Sequence, residues 1–424
     1  MKRLFYTLLF FLPCMLIACG GSDDTPNGDN NPPVVAPPSE EPVDSRLLYN
    51  GIRLPEQWPP VRSSSSELEK GMSPFYLSDK PSVINISVGR QLFVDNFLIE
   101  STNLKRTFYY PEYYSGNPIL TPEQDWEKTG TKGAAFAAPF SDGVWYDEKE
   151  GKYKMWYMAG GGSYATSGAG VTCYAESTDG IHWTKPTLSV VAGTNIVDYN
   201  SERDASVIWL DKQESNASKR YKMFLVARES GKWRYRYKTS PDGKVWRAAA
   251  QSEPVADRST VYKNPFRNVW VYSMRHNVRV DANKLVRARD YNENADPEAG
   301  TKKAEALLSA FWFGPWANEQ HHTDYPNIAP AIYNQDATPY ESIMLGFFSV
   351  WQGPENDVCA SDNVIKRNQV MVGYSRDGYS WFREDMNPFH AVNTTTSDAW
   401  NQGNLQSVAG APLIVGDKLY FYLS

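Results

Sequence analysis

The sequence predicts an all-β protein built as a five-bladed β-propeller, and two observations carry this prediction. A Ser-x-Asp-Gly-x-x-Trp phrase, here called the blade motif, follows three runs of strand-forming residues. Its Trp residues lie 63 and then 135 residues apart, and the second interval is close to twice the first. A motif recurring at the length of one four-stranded unit is typical of a propeller. The copies occupy residues 177–183, 240–246 and 375–381.

The blade motif has a local physical explanation. Its Asp-Gly pair closes a tight turn, because Gly accepts positive φ and the Asp side chain bonds nearby backbone N–H groups. Its Trp then places a large ring at the start of the next strand. The regular interval predicts a degenerate copy near residue 313, where Trp312 and Trp316 lie.

Each blade is expected to open with a hairpin of two apolar strands around a polar turn. The hairpins are predicted at residues 143–159, 206–227, 260–274, 331–350 and 411–423. The fifth blade is incomplete, and two alternatives stay open. Strands at residues 91–100 and 105–110 complete the blade and close the ring, or the last strands of the blade are missing from this chain.

Composition is that of a folded chain with ample core. Of 424 residues, 41% are hydrophobic and 14% aromatic, and the net charge is −6. Most aromatic residues are expected in the blade core, although such a composition also suits stacking on sugars. No basic stripe indicates nucleic acid binding. His321 and His322 lack a third ligand at useful spacing, so we expect no bound metal. We also expect a monomer without a cofactor.

The N-terminus has the pattern of a targeting segment. Lys2 and Arg3 precede an apolar run that is short for a membrane span. Leu-Ile-Ala-Cys at 16–19 resembles a bacterial lipobox, which implies cleavage before Cys19 and lipidation of its thiol. Gly-Gly-Ser-Asp-Asp follows and is similar to the surface-export signal of lipoproteins in glycan-foraging Gram-negative bacteria. We expect a lipid anchor in the outer membrane, facing the cell exterior.

These patterns divide the chain into four parts. Residues 20–47 are rich in Asn, Pro, Gly and acids, which predicts a disordered tether. The full division is a signal peptide at 1–19, the tether at 20–47, an N-terminal extension at 48–90 and the propeller at 91–424.

Three aspartates are predicted to meet at the propeller axis. Asp142, Asp204 and Asp257 each lie an odd number of residues before the first hairpin turn of their blade, so strand alternation places them on one face. Innermost strands line the axial cavity of a propeller. Two of these aspartates adjoin an arginine, Arg203 or Arg258, which holds a carboxylate ionised and binds sugar hydroxyls.

Here the chain resembles the five-bladed β-propeller glycoside hydrolases, which include families 32, 43, 117 and 130. The resemblance covers about residues 91–424 and rests on the blade motif, Arg203-Asp204, Gly-Asn-Pro-Ile-Leu at 116–120 and Gln-Leu-Phe-Val-Asp at 91–95. The Trp-Met-Asn-Asp-Pro opening and the Glu-Cys phrase of family 32 are absent. The resemblance implies exo-acting hydrolysis of a poly- or oligosaccharide.

Catalytic roles follow from this resemblance. It implies that Asp204 stabilises the transition state, with Asp142 as base or nucleophile and Asp257 as a further stabiliser or base. Glu341 is assigned as the general acid, because its apolar neighbours would raise its pKa. Asp324 is the rival acid.

Substrate contacts are assigned beside the acids. Arg203, Arg258 and Asp324 are expected to bind the sugar, and Trp316 and Trp351 to stack on it. Two other functions remain open. One is a glycan-binding propeller without activity, and the other is a phosphorylase whose phosphate pocket uses Arg203, Arg258 and Arg275.

Overall fold

The computed structural model describes residues 44–128, 135–165, 170–199, 201–282, 284–306, 308–392 and 399–424. Within these residues the strands form five antiparallel sheets, and the predicted all-β propeller is confirmed. The predicted signal peptide, Cys19 and nearly all of the predicted tether lie outside the described residues. In the described part, no helix has both the length and the apolar character needed to cross a membrane.

Blades 1 to 3 account for thirteen strands. Blade 1 holds β1 (Ala137–Ala138), β2 (Val144–Asp147), β3 (Lys152–Ala159), β4 (Val171–Ser177) and β5 (Ile196–Asp198). Blade 2 holds β6 (Glu202–Leu210), β7 (Tyr221–Glu229), β8 (Lys232–Ser240) and β9 (Arg247–Gln251). Blade 3 holds β10 (Thr260–Asn264), β11 (Val269–Arg279), β12 (Leu285–Asn294) and β13 (Ala310–Phe313).

Blades 4 and 5 have fewer strands. Blade 4 holds β14 (Ala331–Tyr340), β15 (Ile343–Gly353) and β16 (Arg367–Ser375), and blade 5 holds β17 (Val408–Val415) and β18 (Lys418–Leu423). The short helices are α1 (Ser64–Glu67), α2 (Asp125–Lys128), α3 (Pro297–Lys303) and α4 (Asn356–Asp362), with 3-10 turns at Phe75–Leu77, Gly162–Tyr164 and Ala217–Lys219.

The innermost strands form a closed ring. Contacts run from β2 to β6, β10, β14, β17 and back to β2. Residues near the beginnings of these strands meet at one end of the axis. Asn334 in β14 donates through Nδ2 to the hydroxyls of Ser141, just before β2, and Ser407, just before β17, at 3.1 and 3.2 Å. Side chains from different blades therefore converge there.

The blade motifs fasten one blade to the next. Within a motif, the Ser hydroxyl accepts from the Gly N–H, as in Ser177 and Gly180 at 2.9 Å. The preceding blade then donates to a motif carbonyl. Trp156 Nε1 bonds Gly243 O at 2.7 Å. Equivalent bonds run from Tyr422 OH to Gly180 O and from Asn264 Nδ2 to Asp377 O. The motifs are thus structural, and their positions after β4, β8 and β16 explain the repeat interval.

The degenerate copy is not near residue 313, and this prediction is wrong. Trp312 lies in the outermost strand β13, whereas the motif follows the third strand of a blade. In blade 3 that place is taken by Asn294 and Asp296, whose N–H donates to Asn294 Oδ1 at 2.9 Å. The Asp296 side chain then caps α3 by accepting from Ala299 N. A helix thus replaces the Gly-Trp half of the motif. The blade 3 copy therefore lacks the Trp from which the repeat interval was measured.

The predicted strands at residues 91–100 and 105–110 are absent, so the N-terminal segment does not complete blade 5 as a strand. The alternative of an incomplete fifth blade agrees with the two-stranded sheet. The reason is local, because Asp95 bonds the backbone N–H of Phe97 and turns the chain. Asp95 also pairs with Arg376 of the third blade motif at 2.8 Å, and both side chains are buried.

Candidate active site

Arg258 lies at the centre of a cluster of acidic residues at the axis. It lies just before β10, separated from it by Ser259. Its guanidinium carbon lies 5.3 Å from the ring centroids of both Phe140 and Tyr333. Its backbone φ is 54°, a left-handed value that a non-glycine residue holds only where its surroundings enforce it. Residues from blades 1, 3 and 4 therefore position this cation.

Asp204, in β6 of blade 2, binds Arg258 directly. The Arg258 backbone N–H donates to Asp204 Oδ1 at 2.8 Å, and the Arg258 Nε lies 3.4 Å from the same oxygen. The Asp204 side chain is 18% exposed, so its carboxylate has access to solvent. The structure thus places Asp204 at the axis, as the sequence predicted.

Asp257 is the second carboxylate of this cluster. It lies beside Arg258 in the chain, is 29% exposed and forms an ion pair with Arg275 of β11. Burial raises the pKa of Asp257, Arg275 and Arg258 oppose this rise, and the negative charge of Asp204 adds to it. Because Arg258 adjoins Asp257 in the chain and binds Asp204, the two carboxylates belong to one site.

Asp336 is the third carboxylate, and the sequence analysis missed it. It lies in β14 of blade 4, where its Oδ2 accepts from Asn334 Nδ2 at 2.9 Å. Burial raises the pKa of Asp336 to about 7, although hydrogen bonds from Ser141 and Val408 and the charges of arginines in blade 3 oppose the rise. The Asp336 carboxyl therefore keeps its proton to a higher pH than a solvated aspartate does.

The sequence held a signal for Asp336. The predicted first strand of blade 4 ended at Asn334, whereas β14 continues to Tyr340. Counted back from the turn at Glu341, Asp336 has the same odd offset that Asp142 has from Asp147. The strand-alternation rule would have selected Asp336 if the strand had been given its full length.

Asp142 and Arg203 are correctly predicted to lie near the axis, but the structure contradicts their assigned roles. Asp142 has no exposed surface, and Arg203 Nη2 bonds both of its oxygens at 2.9 and 2.8 Å. Arg203 Nη1 bonds Thr172 Oγ1 at 2.7 Å, and its side chain is 2% exposed. Asp142 is thus shielded from substrate in this structure, and Arg203 pairs with Asp142 rather than with a sugar.

Glu341 is wrongly placed for a general acid. It lies in the β14–β15 turn, five residues beyond Asp336. This turn is at the opposite end of the propeller axis from the beginnings of the inner strands. The Arg90 backbone N and Nη2 each donate to its carboxylate at 2.7 Å. Burial raises the pKa of Glu341, but the bonds from Arg90 outweigh it, and the net pKa is lowered. An acid catalyst needs a raised pKa.

The remaining predicted contacts lie at different depths. Trp316 is 8% exposed and packs against Phe313 and Phe348, so it belongs to the core and its stacking role is contradicted. Trp351 is also buried on most sides, at 5% exposure. Asp324 is exposed in the loop between β13 and β14, and its role in sugar binding stays a prediction.

Among the described residues, no group of three or more His, Cys, Asp or Glu side chains is arranged to hold a metal.

Comparison with known proteins gives similarity of fold. No protein-family model matches the chain, and no curated protein sequence matches it. Solved structures similar to it include glycoside hydrolases. One similar structure is an N-acetylgalactosamine deacetylase from F. plautii in complex with blood group B trisaccharide, at 12% identity and TM-score 0.46, covering 72% of this chain and 82% of that one.

Two further structures carry hydrolase names. A glycoside hydrolase is 13% identical, with TM-score 0.41, covering 68% of this chain and 81% of that one. A beta-fructofuranosidase from Schwanniomyces occidentalis, complexed with fructosyl-erythritol, is 9% identical with TM-score 0.40, covering 68% of this chain and 60% of that one. Such likeness does not carry a function across, so the function is inferred from the site itself.

Proposed function

We propose that the protein is a glycoside hydrolase acting on a poly- or oligosaccharide. One observation carries the proposal. Near the axis, Arg258 binds Asp204 and adjoins Asp257, and burial raises the pKa of Asp336, from a third blade, to about 7. Glycosidases need this combination, because one carboxyl must give a proton while another stays charged.

The proposed reaction assigns a role to each carboxyl. Protonated Asp336 gives its proton to the glycosidic oxygen as the bond from that oxygen to the anomeric carbon breaks. Charged Asp204 either takes a proton from the attacking water or attacks the anomeric carbon itself, and the first case inverts the anomeric centre while the second retains it. Asp257 stabilises the positive charge that develops at the anomeric carbon, and Arg258 holds Asp204 in position. We also propose exo action on a chain terminus, because the carboxylates lie at one end of an axis along which the innermost strands contact one another.

The two alternative functions fit the site less well. A binding module would need only aromatic and amide groups at the axis, whereas this site adds three carboxyl groups to them. The phosphorylase hypothesis placed phosphate on three named arginines. Each of the three arginines considered for that role pairs with a carboxylate: Arg203 with Asp142, Arg258 with Asp204 and Arg275 with Asp257.

The experiment is a screen of plant, algal and host polysaccharides for released sugar, followed by a pH profile on the active substrate. We expect kcat to fall as pH rises through about 7, because Asp336 loses its proton there. Asp204→Asn and Asp336→Asn should each lower kcat by at least about 100-fold. Asp417→Asn, in the exposed β17–β18 turn at the opposite end of the axis, is the matched control. Full activity of Asp336→Asn would rule out this mechanism.

We further propose that the enzyme is lipid-anchored in the outer membrane and faces the cell exterior, as the residues around Cys19 indicate. Growth with an alkyne fatty acid should label the protein, and Cys19→Ala should abolish labelling. Cys14→Ala, within the predicted signal peptide, should keep it. Cleavage of the protein by protease added to intact cells would support the outward orientation, and protection would contradict it.

A further inference from the structure

Arg287 lies on the rim of the same site and has no place in the proposed chemistry. It belongs to β12, and its guanidinium carbon lies 5.0 Å from the ring centroid of Trp351 and 5.7 Å from that of Tyr333. The Tyr333 ring also contacts Arg258, so one aromatic ring links Arg287 to the arginine that binds Asp204. The Arg287 side chain is 22% exposed.

The cations of the site differ in how firmly they are paired. Arg258 and Arg275 each have an aspartate partner at the axis. In the described part of the chain, the ion pair of Arg287 is with Glu355, at 3.7 Å, which exceeds hydrogen-bond length. Glu355 is 57% exposed, and a surface ion pair of this length contributes little. Arg287 therefore retains N–H donors for a ligand.

The rings of Trp351 and Tyr333 pack near the Arg287 guanidinium and restrict its orientation. A guanidinium that packs on aromatic rings keeps its planar edge free, and that edge matches the two oxygens of a carboxylate. We propose that Arg287 binds the carboxylate of an acidic sugar, so that the substrate contains a hexuronate residue. This inference rests on the proposed function, because it names the substrate class of the same site.

The test compares acidic and neutral sugars of otherwise equal shape. Binding of D-galacturonate, D-glucuronate, D-galactose and D-glucose to the purified protein is measured by calorimetry or ligand-observed NMR. We expect at least one uronate to bind about tenfold more tightly than its neutral counterpart, as one charge-assisted pair provides. Arg287→Gln should remove this preference.

Two further variants serve as a conservative substitution and a matched control. Arg287→Lys keeps the charge without the two-pronged edge and should retain only part of the preference. Arg279→Gln, at the tip of the same hairpin, is the matched control, because Arg279 bonds the carbonyl of Ala282 in its own turn. It should leave the preference unchanged. Circular dichroism of each variant verifies that the fold is intact.

The failing outcomes are distinct. Equal binding of uronates and neutral sugars, or a preference that survives Arg287→Gln, would overturn the inference. Tighter binding of galactose 6-sulfate than of galacturonate would overturn the carboxylate assignment. Hydrolysis of a neutral glycan that Arg287→Gln leaves unchanged would refute this inference while the proposed hydrolase stands. Uronate binding that depends on Arg287, without hydrolysis of any glycan, would refute the proposed hydrolase while this inference stands.

Discussion

Replacing Asp336 by Asn should change how protein stability depends on pH. The pKa of the Asp336 carboxyl rises from 3.8 in the unfolded chain to about 7 in the fold, chiefly through burial. The folded state therefore binds more protons than the unfolded state between these values. Stability contributed by this group falls as pH rises through that window, because the charged form is poorly solvated in the fold.

The magnitude follows from the shift. Roughly three pKa units at about 1.4 kcal/mol each give an upper limit of about 4 kcal/mol. Asp336→Asn removes the ionisable group but keeps a similar shape. The free energy of unfolding of the variant, relative to the wild type, should therefore rise by up to about 4 kcal/mol between pH 4 and pH 8.

Urea unfolding of both proteins at these two pH values measures the effect. Groups that titrate elsewhere in the chain cancel in the difference between variant and wild type. Asp324→Asn serves as the control, because that side chain is exposed and solvated in both states. If the difference between Asp336→Asn and wild type stays within about 0.5 kcal/mol from pH 4 to pH 8, the raised pKa is refuted, and the general-acid role loses its basis.

Three further changes test the packing of the propeller. Asp95→Asn removes one charge of a buried ion pair with Arg376 and should cost about 3–5 kcal/mol in urea unfolding; a loss below about 1 kcal/mol would show that the N-terminal segment is only loosely attached. Gly378→Ala should lower the free energy of unfolding by about 1–3 kcal/mol more than Gly151→Ala does. Both glycines have positive φ, but only a side chain at Gly378 would clash, with Asn264 of the neighbouring blade. Asp142→Asn should lower the melting temperature by several degrees, because it leaves a buried guanidinium without its charged partner; an unchanged melting temperature with lost turnover would restore Asp142 as a catalytic residue.

Local patterns were sufficient for much of the architecture. The hairpins of all five blades were predictable, because strand alternation and turn chemistry involve residues close in the chain. The same alternation predicted Asp204 at the axis. Where a local rule was interrupted, prediction failed, as with the helix that replaces half of the motif after Asn294. The N-terminal segment failed for a related reason, because the Asp95 side chain bonds its own backbone.

The sequence by itself determined the propeller, the order of its blades and the presence of acidic residues at the beginnings of the inner strands. Only the tertiary structure decided which carboxyl does what. Arg203 pairs with Asp142 across a blade boundary and not with its chain neighbour Asp204. Asp336 has a raised pKa through burial among residues from other blades. Burial and choice of partner depend on how distant segments pack, so no local pattern encodes them.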